Sequence, residues 1–146
     1  MSTYFQQVGE FRKAMGKPLR ERPFEKIPAN EFDQQVDLIR EEAQREFEEA
    51  LVAFRVFPEV YTAADLLDAC VDSIYVFLDF CHAMGFPFEE AWNEVHAANM
   101  RKRGADGKVH FRSDGKVLKP EGWKPPDIGR VIIDRMMKVD KQEKEQ

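Results

Sequence analysis

The stretch from Thr62 to Met84 constrains the fold most, because it is apolar or small on nearly every side of a helix and yet carries acids in its middle. At about 100° per residue, Leu67, Cys70, Val71, Ile74, Leu78 and Cys81 line one side, and Ala69, Ser73, Val76 and Phe80 cover most of the other. Asp68, Asp72, Tyr75 and Asp79 form the one polar stripe. Such a helix is expected to be buried, with Thr62 as its N-cap and Gly85 as its stop, and its mid-helix carboxylates would face an enclosed space. The acids between Asp65 and Asp79 also interrupt any apolar run long enough to cross a membrane.

A second long helix is expected over Glu31 to Arg55, where Val36, Ile39, Ala43, Phe47, Ala50 and Phe54 recur at steps of three and four. Pro18, Pro23 and Pro28 punctuate the basic loop before it, and a shorter helix is read over Tyr4 to Met15. A further helix from Phe88 to Arg103 carries an apolar stripe of Phe88, Trp92 and Val95 that continues onto Asn99 and Lys102, which places those two polar groups at the rim of the core. Beyond Gly104 the chain turns to Gly, Pro and Lys. There Asp106-Gly107-Lys108-Val109 is echoed by Asp114-Gly115-Lys116-Val117, the signature of two tight turns around a short extended piece. A last short helix is read over Gly129 to Lys138, followed by a charged tail from 139 to 146.

At 146 residues with 43% hydrophobic content the chain can bury one core, so residues 1–138 are read as a single all-α domain. The N-terminus has no apolar segment of the signal-peptide kind. Cys70 and Cys81 look like small core residues rather than a disulfide or zinc ligands, which fits a reducing cytoplasm. The net charge of −5 is unevenly spread: residues 31–90 carry −12, between flanks of +3 and +4. An acidic middle suits cations and basic flanks suit anions, although solvated acidic helix faces would give the same count.

Glu42, Glu46 and Glu49 fall at i, i+4 and i+7 on the first long helix, and Asp68 and Asp72 at i and i+4 on the second. If the helices pack, four or five carboxylates converge. Burying such charges costs several kcal/mol each unless a proton or a cation compensates, and ligands that are all oxygen suit magnesium, manganese or calcium rather than zinc. A glutamate-rich face flanked by arginines is as often a solvated surface with i, i+4 pairs. That alternative is weaker for Asp72, whose helix has little polar surface. His82, His96 and His110 have no metal-ligand spacing, and Ser73 has no partner for nucleophilic catalysis.

The chain resembles the all-α NTP pyrophosphohydrolases, the group that includes MazG-like proteins, dimeric dUTPases and phosphoribosyl-ATP pyrophosphohydrolases. The likeness spans about Glu10 to Ile132. It is carried by Leu38-Ile39-Arg40-Glu41-Glu42, Asp72-Ser73-Ile74-Tyr75-Val76, the segment Glu94 to Lys102, and Asp114 to Trp123, the last two resembling the MazG-like branch. The group's metal motif is E-E-x-x-E on one helix and E-x-x-D on the next. Glu41, Glu42 and Asp72 match it, whereas Arg45 and Ala69 stand at two acid positions, each with an acid one residue away in Glu46 and Asp68.

The resemblance implies a helical bundle assembled as a dimer or tetramer, and magnesium-dependent hydrolysis of (deoxy)nucleoside triphosphates to monophosphate and pyrophosphate, with manganese as a substitute. Glu42, Glu46, Asp68 and Asp72 would hold the metal, and Glu41 or Glu46 would serve as general base. Asn99 and Lys102, matching N-x-x-K, and the loop residue Lys119 would contact phosphates. No P-loop sequence occurs. Arg45 and Ala69 support a second reading, a nucleotide-binding or regulatory module that has lost part of its metal site. A nucleic-acid partner through Arg101, Lys102 and Arg103 is not expected, given the acidic middle and the lack of a reader motif.

Overall fold

The computed structural model describes residues 1–145 and is helical, with an isolated antiparallel bridge, Phe111 to Val117, in place of any strand among those residues. The elements are α1 (Tyr4–Ala14), α2 (Ala29–Leu38), a π-helical segment (Ile39–Glu46), α3 (Phe47–Val56), α4 (Val60–Met84), α5 (Phe88–Met100) and α6 (Ile128–Lys144). They form two compact units, Met1–Phe86 and Pro87 onward.

In the first unit α2, the π-helical segment and α3 make one continuous helix, as the three-and-four spacing predicts. Its hairpin partner α4 runs beside all three pieces, and α1 packs on α4. Helix α4 begins two residues earlier than Thr62. Thr62 braces that start instead of capping it, accepting the Glu59 N–H at 3.2 Å and donating to the Phe57 carbonyl at 2.6 Å. Gly85 ends the helix at φ +67°, and a Cβ there would lie 2.4 Å from the Arg22 carbonyl oxygen, so the stop needs glycine on both counts.

Val8, Ala69, Leu78, Ala83 and Met84 form the buried apolar centre of this unit. Beside them lies a charged knot. Arg12 is 0% exposed and donates to Asp79 at 2.9 Å, to Glu31 at 2.6 Å and to the Pro18 carbonyl at 2.7 Å, while Arg20 grips both oxygens of Glu31 at 2.8 Å. These bonds tie α1, α2 and α4 together, and removing one partner of such a buried set typically costs about 3–5 kcal/mol. His82 stacks on Phe5 with 3.7 Å between ring centres and donates from Nε2 to the Phe5 carbonyl.

The expectation that α4 is buried all round needs correction. Its Ala69, Ser73 and Val76 side turns inward, but Leu67, Val71 and Ile74 are 66%, 51% and 57% exposed. The hairpin partner covers one face only, and the apolar face opposite stays bare in a single chain. Cys81, near the C-terminal end of α4, is a free thiol that burial pushes up to about 11.

In the second unit α5 turns Ala98 inward, whereas Trp92 and Val95 of the expected core stripe are exposed. Both D-G-K turns form. Asp106 accepts from the Lys108 N–H at 2.9 Å and Asp114 from the Lys116 N–H at 3.1 Å, with Gly107 and Gly115 at φ +73° and +81°. Asp127 caps α6 by accepting the Arg130 N–H at 2.9 Å, and the ion pair between Arg135 and Glu90 links α6 to α5. Helix α6 runs on to Lys144 with Val139 buried, so the helix does not stop at Lys138; Gln146, the last residue of the expected tail, lies outside the described residues.

Candidate active site

The π-helical segment holds the acid motif. At its end the Phe47 N–H reaches the carbonyl of Glu42, five residues back, rather than the four-residue span of an α-helix. A π turn takes roughly 4.4 residues, so each step rotates about 82° instead of about 100°. Four π steps from Glu42 to Glu46 therefore come to about −32°, close to the roughly −60° that E-E-x-x-E gives in an α-helix across three steps. The one-residue slip that puts Arg45 at the third motif position is thus largely undone by the local winding, which carries Glu46 across to the side of Glu42 where the motif's third acid stands.

Glu42 is half-buried, and its carboxyl is held above the ordinary range by that burial first, then by the charges of Glu46 and Asp72, a hydrogen bond shared with Glu46, and the charge of Glu41. Asp72 is half-buried on α4, where Ser73 beside it spends its hydroxyl on the Ala69 carbonyl at 2.7 Å. The structure therefore gathers Glu41, Glu42, Glu46 and Asp72. Asp68 is exposed one turn earlier, because α4 has no wide turn to rotate it into the position of Ala69, which is buried. Among the described residues the acids do not close into a three-ligand cage. What they form is a patch of like charge, oxygen ligands only, in which one carboxyl resists ionisation, and that chemistry fits a hard divalent cation.

Arg45 forms with Glu41 an exposed i, i+4 pair of the kind the solvated-face alternative expects. Its guanidinium lies 2.8 Å from Glu41 and 3.7 Å from Glu46, so it bridges the two candidate bases on the exposed edge of the patch. The misregister of the motif was the signal of the wide turn, but a motif read on α-helical geometry cannot use it.

In the second unit Asn99, Lys102 and Lys119 are drawn together around Trp123. The Lys102 ammonium donates to Asn99 Oδ1 at 2.8 Å and lies 5.9 Å from the centre of the indole, and that of Lys119 lies 4.5 Å from it, within cation–π range. The indole is anchored by its Nε1–H to the Ala98 carbonyl at 2.8 Å. Two ammonium groups held on one rigid ring can meet phosphate oxygens with little loss of freedom.

Residues 8–99 match the phosphoribosyl-ATP pyrophosphohydrolase family. Among solved structures, the chain is similar to that of a "putative NTP pyrophosphohydrolase" from Exiguobacterium sp. 255-15. The two are 25% identical with a TM-score of 0.52, over 94% of this chain and 98% of that one. No curated protein matches the chain.

Proposed function

The chain belongs to the phosphoribosyl-ATP pyrophosphohydrolase family and so is a pyrophosphohydrolase acting on nucleotides, and from that premise we propose that it splits (deoxy)nucleoside triphosphates into monophosphate and pyrophosphate with magnesium. The observation that carries the proposal is the patch around Glu42, an arrangement of carboxylates left without enough positive charge of its own. Glu42, Glu46 and Asp72 would hold the ion, with Asp68 as a second acid on α4. When bound, magnesium supplies charge neutralisation for the triphosphate and a more acidic water.

The rest falls to the chain's own groups. The oxygen of a water bonds to the α-phosphorus in line, the bond from that phosphorus to the oxygen bridging to the β-phosphorus breaks, and pyrophosphate leaves. Glu41, held by Arg45 at 2.8 Å, takes the proton of the attacking water; Glu46 is the alternative base where it is not a ligand. Lys102, Asn99 and Lys119 contact phosphate oxygens. These three belong to the other unit, and their role is proposed on the chemistry of their own cluster. The exposed apolar face of α4 supports assembly with further copies as a dimer or tetramer, the free thiols suit a reducing cytoplasm, and no described helix is long and apolar enough to cross a membrane.

The test is pyrophosphate release from a panel of canonical and damaged ribo- and deoxyribonucleotides and phosphoribosyl-ATP, with products identified by mass, in magnesium and in excess chelator. Monophosphate plus pyrophosphate in magnesium alone is expected. Turnover in chelator, or stepwise release of orthophosphate, would count against the reading. Arg45 favours the alternative of a non-catalytic nucleotide-binding module, since its cation already partly neutralises two of the acids. Saturable nucleotide binding with no pyrophosphate released would select that alternative.

A further inference from the structure

The second unit contains a cleft of about 440 Å³ that lies outside the family-matched residues 8–99. Its walls include Arg101, Arg103, Pro120, Glu121, Trp123 and Lys124. The volume falls in the range of about 300–1,000 Å³ usual for small-molecule sites. Three of these side chains are cationic and one is acidic. Arg101 has Glu94 at 3.6 Å, whereas Arg103 and Lys124 make no ion pair among the described residues.

The aromatic wall is rigid. Trp123 closes a turn by donating its N–H to the Pro120 carbonyl at 3.1 Å, which Gly122 permits at φ +75°, and its indole N–H is tied to Ala98 at 2.8 Å. Lys102 and Lys119 sit over the ring, and neither is among the residues that line the cleft. A pre-positioned aromatic surface beside two unpaired cations recognises a planar ring carrying an anionic group. The excess of acid over base in the whole chain disfavours a long polyanion.

We propose that this cleft binds a free nucleoside monophosphate without a metal ion, its base against Trp123 and its phosphate met by Arg103 and Lys124. The proposal goes beyond the hydrolytic reading, because neither cation is among the groups assigned to turnover, and it stands or falls in chelator, where no turnover is expected.

The full chain carrying Trp92→Phe, a change at an exposed ring, leaves Trp123 as its one indole reporter. Its fluorescence is titrated in excess chelator with adenosine monophosphate, thymidine monophosphate, adenosine, inorganic pyrophosphate and a single-stranded decanucleotide. Saturable change with the monophosphates is expected, with at least tenfold weaker affinity for adenosine, while any response to pyrophosphate, which Lys102 and Lys119 would meet over the same ring, should be unmoved by Arg103→Ala with Lys124→Ala. Arg103→Ala with Lys124→Ala should weaken monophosphate binding at least tenfold and leave adenosine where it was. Calorimetric titration of the unsubstituted protein and of the double variant in chelator gives the same comparison without Trp92→Phe. No monophosphate binding, equal affinity for monophosphate and adenosine, indifference to the double substitution, or tighter binding of the decanucleotide than of either monophosphate would each overturn the proposal.

Discussion

Glu46 shares a hydrogen bond with Glu42, and the π winding between them sets on which side of Glu42 it stands, about −32° round the helix axis where an α-helix would put it at about +40°. In a plain α-helix Arg45 would stand nearer the motif position. The acid patch therefore depends on a backbone feature as much as on side-chain identity.

Removing one residue tests this directly. Deleting Arg45 leaves Glu41-Glu42-Ala43-Gln44 followed at once by Glu46, which spells E-E-x-x-E in ordinary α-helical register. The deletion should fold, keep at least the parent melting temperature, since a π turn is less favourable than an α turn, and retain magnesium-dependent turnover. Deleting Ser73 from the regular helix α4 should instead rotate everything after it by about 100° and unfold the protein. Melting curves and pyrophosphate release read both.

Glu42→Gln should stabilise the protein in chelator at pH 7. The folded carboxyl binds its proton more tightly than the unfolded one, so its ionisation weighs against the fold as pH rises past about 4.5, and the penalty fades as pH falls through the raised value. The gain over wild type should shrink towards zero below about pH 4.5. Magnesium should stabilise the wild type by ligand linkage and the variant much less. A variant less stable than wild type at every pH would refute the assignment of strain to Glu42.

Asp72→Asn should lower turnover by orders of magnitude with folding retained, while Asp68→Asn should cost only a few-fold, because Asp72 is half-buried with its charge bearing on Glu42 and Asp68 is exposed. Asp79, the next acid along α4, is instead paired with Arg12. Steady-state kinetics of the two variants at saturating magnesium compare them; equal losses would place both acids in the site.

Arg12→Met should destabilise by about 3–5 kcal/mol, as it leaves Asp79 and Glu31 without their buried cation. The same knot governs acid stability. Glu31 is held below the ordinary carboxylate range, chiefly by its hydrogen bonds with Arg20, so its contribution is present above about pH 4.5 and is lost as pH falls through the lowered value. Urea titrations from pH 7 to 3 should show that loss in wild type and a smaller one in Arg12→Met.

Gly85→Ala should cost more than Gly16→Ala. Both sit near φ +67°, where a Cβ costs about 1–2 kcal/mol, but only at Gly85 would it also meet the Arg22 backbone, at 2.4 Å, while nothing lies within 4 Å at Gly16. Urea denaturation of the two variants should separate them by at least 1 kcal/mol, on the order of a typical core overpacking penalty.

The helical hairpin was legible because apolar steps of three and four persist from Val36 to Phe54 and α4 is apolar along its length, and the twin turns because D-G-K repeats. The knot of Arg12 and Asp79 was not, since its partners stand 67 residues apart and nothing local marks them. Periodicity also overstated burial on α4 and α5. It reports that Leu67, Ile74 and Trp92 are apolar, not whether this chain or another supplies their cover. Of the acids, Glu42 and Asp72 could be read from the motif. Separating Glu46 from Asp68, equal as near misses, required knowing which helix is wound wide.

An extra residue inside an α-helix turns every later side chain to a new direction. Here the surplus residue is taken up within the π-helical segment Ile39–Glu46, and both α2 and α3 lie along α4. Fixed-spacing motif scans would count this protein among those that have lost an acid, although Glu46 stands beside Glu42. Relatives with the same offset deserve to be sorted by helix winding before they are classed as inactive.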